Sequence, residues 1–416
     1  MVVVKPFRGL RPIPEAAAEV AAPPYDVLSS AEARERAKNH PYSFLHVSKP
    51  EIDFEDPSVD SNDPRAHRKG AENLKRMMQS GTLKQDDRPS FYATRLRMGD
   101  RVQTGLYALV STEEYSAGRI KKHEHTHPDK EEERAAHIDT LGAQTGPVYL
   151  MMRDRSDIQT LLRRFTEGKP VYDFIHDYGV EHTLWVIDDP AAVRELEASF
   201  LTVDALYIAD GHHRAASAAR VARMRRERNS DHTGQKDYEF FLSVIFPASE
   251  LLILDYNRLV KDLNGFTEAA FFEAVGKTFD VRSVSGGGAP FRPNAPHEFG
   301  LFLGNAWHAL YAKPGTFDSS DPIGVLDVSI LQNNLLGPVL GIRDPRTDKR
   351  IEFIGGIRGL EGLETAVKSG RFAAAFALYP TAIDQLMAVA DAGSVMPPKS
   401  TWFEPKLRSG LVVHLL

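Results

Sequence analysis

The chain has 416 residues, of which 42% are hydrophobic and 26% are charged, and this composition and length predict a globular protein of two or three domains. A net charge of −6 argues against a protein built for nonspecific nucleic-acid binding, and the lack of cysteine excludes disulfides, thiolate metal sites and a cysteine nucleophile. No apolar run has the length of a secretory signal or a transmembrane helix, so we expect a cytoplasmic protein without a membrane partner.

The first half of the chain alternates predicted helices and strands. Ser29 and Ser30, followed by an early glutamate, predict a helix start, and the alternating runs on either side of Gly99-Asp100 predict a hairpin. We then expect, in chain order, a helix at 66–80, a helix at 131–145, a strand at 147–154, a helix at 156–168 capped by Ser156, a strand at 181–189 and a helix at 190–201.

The second half adds strands at 238–249 and 251–260 and a hairpin around Gly304-Asn305. The glycine- and proline-rich segment 284–300 predicts a loop or linker. We therefore expect a mixed α/β and α+β fold, with an N-terminal domain at 1–283, a linker at 284–300 and a C-terminal domain at 301–416 that packs on the first.

A strand-to-helix junction carries the strongest functional signal. The apolar run that starts at Leu206 ends in Asp210-Gly211-His212-His213-Arg214, and an alanine-rich helix pattern follows. Glycine permits a sharp turn, and the N–H groups at a helix start, together with Arg214 and two imidazoles, favour a phosphate. Asp210 is then a candidate ligand of a nucleotide-bound Mg²⁺. The alternative is a helix that Asp210 caps, with both histidines at the surface.

A second cluster lies at 121–127 and holds these side chains: Lys121, Lys122, His123, Glu124, His125, Thr126 and His127. In a strand, the three histidines would share one face and suit Zn²⁺. Alternatively, Glu124 is a general base or acid, and the lysines and His123 receive phosphates. The third interpretation is a solvated polar loop.

Two proline-rich segments hold further polar groups. Tyr25 and Asp26 follow two prolines, which either hold the pair at a pocket or form a plain turn. The segment 395–413 contains Lys399 and other polar side chains, which either line a ligand site or belong to an arm that packs Trp402 and Phe403 into the core.

The motifs KPFRGLRP, APPYDVLS, KKHEHTHPDKEEER, YIADGHHRAASA and MPPKSTWFEPKLRSGLV together resemble the DUF1015 family of bacteria and archaea, whose function is unknown. The turn alone is similar to that of the ParB/sulfiredoxin-like superfamily. Within that superfamily, the free-serine kinases carry a nearly identical Asp-Gly-His-His-Arg and transfer phosphate from a nucleotide to serine. The resemblance implies a nucleotide-binding core of that fold with an additional mixed-sheet domain.

These observations predict an enzyme that transfers phosphoryl groups to or from a small hydroxylated metabolite such as serine, with ATP or ADP and Mg²⁺ as cofactors. The predicted catalytic residues are Glu124, His123, Asp210 and His213. The predicted cofactor-binding residues are Gly211, His212, Arg214, Lys121, Lys122 and Lys399, and the predicted metal ligand is Asp210. The alternatives are a nucleotide-binding regulator and a metal-dependent hydrolase that uses the histidines of 123–127. A homodimer is one expected assembly.

Overall fold

A computed structural model describes residues 1–284 and 290–416, and over these residues the chain divides into two compact units. Unit 1 comprises Met1–Leu251 and Pro405–Leu416, and unit 2 comprises Leu252–Glu404. This division differs from the expected boundaries at 283 and 300. The chain leaves unit 1 earlier and returns to it at Pro405, because the C-terminal segment pairs with strands of unit 1. Of the predicted linker 284–300, residues 285–289 lie outside the described residues, and the rest belongs to unit 2.

The described residues form the following helices and strands, in chain order. The helices are α1 (Ala17–Val20), α2 (Ser30–Ala37), α3 (Leu45–Ser48), α4 (Pro64–Gln79), α5 (Thr112–Ser116), α6 (Pro128–Leu141), α7 (Ser156–Phe165), α8 (Pro190–Phe200), α9 (His212–Arg228), α10 (Glu268–Val275), α11 (Asp327–Leu331), α12 (Glu361–Lys368) and α13 (Ile383–Asp391). The strands are β1 (Val4–Lys5), β2 (Leu10–Pro12), β3 (Leu83–Gln85), β4 (Phe91–Met98), β5 (Arg101–Ser111), β6 (Ile120–Lys121), β7 (Ala143–Gln144), β8 (Val148–Met152), β9 (Tyr172–His176), β10 (Val180–Ile187), β11 (Leu206–Asp210), β12 (Phe240–Pro247), β13 (Leu252–Leu254), β14 (Tyr256–Val260), β15 (Phe279–Ser283), β16 (Glu298–Leu303), β17 (Ala306–Ala312), β18 (Ile351–Gly355), β19 (Ala374–Leu378), β20 (Trp402–Glu404) and β21 (His414–Leu415).

The large sheet of unit 1 has the strand order β6-β11-β8-β12-β5-β4-β10-β9, with β1 added beside β5. Its central strand β12 is buried along its whole length, as expected for a continuous apolar run that is covered on both faces. Leu106, Leu150, Ile208 and Ile245 belong to one buried core with residues of α7, α8 and α9. Parallel and antiparallel pairs occur in the same sheet, so the expected mixed α/β class is confirmed.

One parallel pair determines where the functional segments meet. Strand β11 runs parallel to β6, with Leu206 opposite Ile120 and Tyr207 opposite Lys121. Because both strands point the same way, the chain leaves both of them at the same edge of the sheet. The residues after Lys121 and the residues after Asp210 therefore start side by side.

Local sequence signals explain most of the helix starts. Ser29 accepts a hydrogen bond from the N–H of Glu32, whose carboxylate accepts one from the N–H of Ser29, so a capping box opens α2. The prediction that Ser156 caps α7 is wrong. Ser156 is the first helical residue, and the extended backbone of Arg155 precedes it without a side-chain cap.

Unit 2 contains a sheet with the strand order β15-β17-β16-β19-β14-β18. The predicted hairpin around Gly304-Asn305 is confirmed as β16 and β17, and both turn residues have positive φ, as tight hairpin turns require. Leu259, Phe302 and Trp307 lie in its core. Within the described part of the chain, no helix combines the length and the apolar character that a membrane crossing needs.

Candidate functional site

The turn after β11 is built around a left-handed glycine. Gly211 has φ 95° and ψ 32°, and α9 begins at the next residue, His212. A Cβ at this position would be in ordinary contact with Arg214, 3.4 Å from its Cζ, so it is the backbone conformation that favours glycine. The N–H groups of the first helical turn have no acceptor within the helix, which makes this end of α9 attractive to an anion.

Asp210 does not cap α9, which corrects one alternative from the sequence. Gly211 occupies the capping position, and no side chain accepts a hydrogen bond there. Asp210 Oδ2 instead accepts a hydrogen bond from Lys406 Nζ at 2.8 Å. Burial alone would raise the pKa of Asp210, but the charges of Lys406 and Arg214 hold it well below its usual range. Asp210 is therefore a carboxylate at neutral pH.

The segment 121–127 lies against the turn, as the parallel strand pair requires. The N–H of His123 donates to Nε2 of His212 at 3.4 Å, and the N–H of His127 donates to Nε2 of His213 at 3.0 Å. The His127 and His213 rings are stacked with centroids 5.8 Å apart. Both histidines of the turn thus hold the neighbouring segment in place through its backbone.

Burial and these hydrogen bonds together determine the protonation of the His212 and His213 rings. Burial lowers the pKa of His212 well below its usual value, and burial, with the charge of Lys130, lowers that of His213 to about 4. Both rings are neutral at pH 7, and because Nε2 accepts, the proton lies on Nδ1. This differs from the expected arrangement, in which the ring nitrogens receive phosphate.

Glu124 faces the turn from this segment. Its Oε2 lies 3.6 Å from Nδ1 of His212, which is beyond hydrogen-bond distance, and its side chain is 49% exposed. The carboxylate therefore lies beside the start of α9 and is half-exposed to solvent. His123, by contrast, is buried, and burial lowers its pKa to about 4.

Arg214 points inward, which differs from the expectation that its guanidinium helps to hold a phosphate. Its Nη1 donates to the carbonyl of Pro147, and its Nη2 lies 3.7 Å from Oδ2 of Asp26. The buried Nε has no partner among the residues that the structure describes. Arg214 also lines a cavity of only about 30 Å³ with Tyr25 and Gln144, which is room for about one water molecule. Of the Tyr25-Asp26 pair, Asp26 thus forms an ion pair with Arg214 of the turn.

The three lysines of the prediction have different surroundings. The ammonium of Lys121 lies 5.7 Å from the ring of Tyr207, and that of Lys122 lies 4.7 Å from the ring of Tyr115, both in unit 1. Lys399 belongs to unit 2, where its ammonium lies 5.8 Å from the ring of Tyr256. Lys406, one of the polar side chains of the segment 395–413, contacts Asp210 in unit 1. The sequence offered it only as part of that segment, which either lines a ligand site or packs as an arm, and gave it no individual role.

The geometry gives no support to a zinc site at 123–127. Strand β6 ends at Lys121, so the premise of one shared strand face is wrong, and His123 is buried whereas His125 is exposed. Over residues 1–284 and 290–416, no group of three or more His, Asp or Glu side chains is arranged to hold a metal ion. Asp210, the expected ligand of a nucleotide-bound Mg²⁺, has an ammonium group on one of its two carboxylate oxygens.

A family model described as a protein of unknown function, DUF1015, matches residues 4–329. The chain belongs to the DUF1015 family. The match confirms the family resemblance, although it ends at Ser329, before the motif at 396–412. No curated protein matches the chain.

Three solved structures resemble this DUF1015 chain only distantly. A conserved hypothetical protein from Pyrococcus furiosus is 15% identical with a TM-score of 0.36, over 74% of this chain and 95% of that one. Free serine kinase in complex with AMP is 14% identical with a TM-score of 0.35, over 73% and 91%. SbnI with a C-terminal truncation, from Staphylococcus aureus, is 13% identical with a TM-score of 0.37, over 74% and 87%. At these values the chemistry has to be argued from the residues of this chain.

Proposed function

We propose that this DUF1015-family protein binds ATP or ADP and transfers a phosphoryl group to or from a small hydroxylated metabolite such as serine. The observation that carries the proposal is the position of Glu124. The half-exposed carboxylate of Glu124 lies 3.6 Å from Nδ1 of His212. His212 belongs to the first turn of α9, whose N-terminal N–H groups have no acceptor within the helix.

The phosphate-binding part of the proposal is the backbone of the turn. The N–H groups of Gly211, His212 and His213 and the positive end of the α9 dipole would hold phosphate oxygens. Lys121 is the last residue of β6, the parallel neighbour of β11, and Lys122 follows it, so both would add positive charge at the same sheet edge. Phosphoryl transfer needs mainly positioning and such charge.

The proton-transfer part of the proposal is Glu124. The acceptor hydroxyl oxygen would attack the terminal phosphorus, the bond to the nucleotide's bridging oxygen would break, and the hydroxyl proton would pass to Glu124. With water as the acceptor, the same groups would give a phosphatase. His212 and His213 are neutral acceptors of backbone N–H groups, so we assign them, with His123, positioning roles.

Asp210 and Lys406 form an ion pair at the proposed site. Their ion pair would fix the end of β11 and thereby the start of the turn. The described donor set supplies no protein-held Mg²⁺, so no step in this proposal depends on one.

The test compares Glu124→Gln with Glu132→Gln, a control whose side chain is 72% exposed on α6. Transfer from radiolabelled ATP or ADP to a panel of small hydroxylated metabolites should fall about 100-fold or more in Glu124→Gln only, because general base catalysis contributes that much. Binding of ADP should be unchanged in both variants.

Two results would contradict the proposal. Full transfer activity in Glu124→Gln would remove the carboxylate from the reaction. Binding of nucleotide by the wild-type chain without transfer to any metabolite or to water would instead favour a nucleotide-binding regulator.

A further inference from the structure

A second cavity in unit 1 lies along the distal half of α9. It encloses about 390 Å³ and is lined by the start of α5, the last turns of α9 and residues of the segment 232–239. Cavities of roughly 300–1,000 Å³ are typical of small-molecule sites. Arg223 on its wall follows Arg214 by nine residues, a rise of about 14 Å along the helix. This cavity is therefore separate from the candidate site.

Arg223 is a guanidinium group on the cavity wall that has no carboxylate partner among the described residues. The neighbouring arginines of α9 are paired, as follows: Arg220 with Glu131 and Glu132, Arg225 and Arg228 with Asp139, and Arg226 with Glu239. A guanidinium whose neighbours are already neutralised is suited to bind a carboxylate from solution.

Glu113 supplies the complementary charge in the same cavity. Its N–H donates to Ser111 Oγ at 3.1 Å, while none of the described residues forms a hydrogen bond or an ion pair with its carboxylate. The pKa of Arg226 on α9 is raised, mainly by its hydrogen bond with Glu239 and further by the negative charge of Glu113. Glu113 therefore lies close enough to α9 to interact with its charges. The cavity therefore offers one cation and one anion to a ligand.

The remaining lining is neutral or apolar. The negative charge of Glu239 is neutralised by Arg226, whose Nε donates to Oε1 of Glu239 at 3.2 Å. Nδ1 of His232 lies 3.5 Å from the same oxygen. Ala219 and Ala222 contribute methyl groups to the wall. A ligand with two opposite charges and a small aliphatic part fits this lining, whereas a phosphate ester would meet the uncompensated charge of Glu113.

We propose that this cavity binds a small zwitterionic metabolite of the α-amino acid class. Its carboxylate pairs with Arg223, its ammonium group pairs with Glu113, and its side chain lies against the alanines of α9. The inference does not depend on the phosphoryl transfer proposed above, because the cavity shares none of the residues assigned to that reaction.

The experiment is calorimetric titration of the full chain with each of the common L-α-amino acids. N-acetyl-L-leucine and L-leucinamide serve as probes that lack one charge each. At least one amino acid should saturate the protein, and neither blocked probe should bind. Arg223→Gln and Glu113→Gln should each weaken that binding about tenfold or more, because one charge-assisted contact is worth about 1.4 kcal/mol or more.

Arg228→Gln is the matched control, because Arg228 lies on the same helix and pairs with Asp139 outside the cavity. It should keep the affinity of the wild-type chain. Circular dichroism should show that the three variants, all at exposed side chains, remain folded. Failure of every amino acid to bind, binding that both cavity variants leave unchanged, or equal binding of N-acetyl-L-leucine would each overturn the proposal.

Discussion

At the residue scale, the histidines of the turn are neutral hydrogen-bond acceptors rather than cations. His213 shows the consequence for stability. Its pKa in the folded chain is about 4, below the usual 6.5, because the ring is partly buried beside Lys130 and His127. The unfolded chain therefore binds more protons between these values, and folding should lose stability as the pH falls through that window.

His213→Gln should make stability less dependent on pH between about 6.5 and 4. Glutamine keeps an oxygen that can accept from the N–H of His127, but it cannot take up a proton. Thermal unfolding at several pH values checks this, with His125→Gln, an exposed residue of the same segment, as the control. An equal decline of the melting temperature in His213→Gln and the wild-type chain would contradict the assigned role.

Individual residues of the candidate site were partly predictable from the sequence. The composition of 121–127 and 210–214 indicated chemistry, because histidine, glutamate and arginine cluster at the end of a strand. The direction of each side chain was not predictable. Arg214 points inward because its guanidinium finds the carbonyl of Pro147 and the carboxylate of Asp26, two partners that are remote in sequence.

At the element scale, the meeting of the two motifs depends on β6, a strand of two residues. Such a strand is too short for a periodic pattern, so the sequence could not indicate that it pairs with β11. Longer elements were predictable, since the hairpins β4-β5 and β16-β17 carry glycine turns and α8 opens with proline. At the basic end of α9, Arg225, Arg226 and Arg228 bind carboxylates that are remote in sequence or follow the helix, which the sequence pattern does not show.

The turn that opens α9 should be sensitive to a single methyl group. Gly211→Ala should destabilise the chain by about 1–2 kcal/mol, because alanine is strained in the left-handed region. Gly168→Ala is the matched control, because its φ is not in that region and no atom lies within 4 Å of its added Cβ. Urea unfolding of both variants measures the difference, and equal stability would contradict the account of the turn.

At the scale of the whole molecule, unit 1 is completed by the end of the chain. Strand β21 pairs with β7, Val413 bridges to Leu10, and Ser409 bridges to Ala22. This return brings Lys406 to Asp210 and explains why a division based on the segment 284–300 missed the boundary. Composition identifies segments that are rich in glycine and proline, but it does not show which strands a distant terminus pairs with.

The central claim is that the backbone at the start of α9 holds the phosphate of a nucleotide. The most direct test is a titration of the deuterated, ¹⁵N-labelled full chain with ADP, followed through assigned amide resonances. The N–H signals of Gly211, His212 and His213 should shift until saturation, while those of Gly355 and Gly356, at the end of β18 in unit 2, should stay in place. Saturable ADP binding that leaves the signals of 211–213 unchanged would contradict the account.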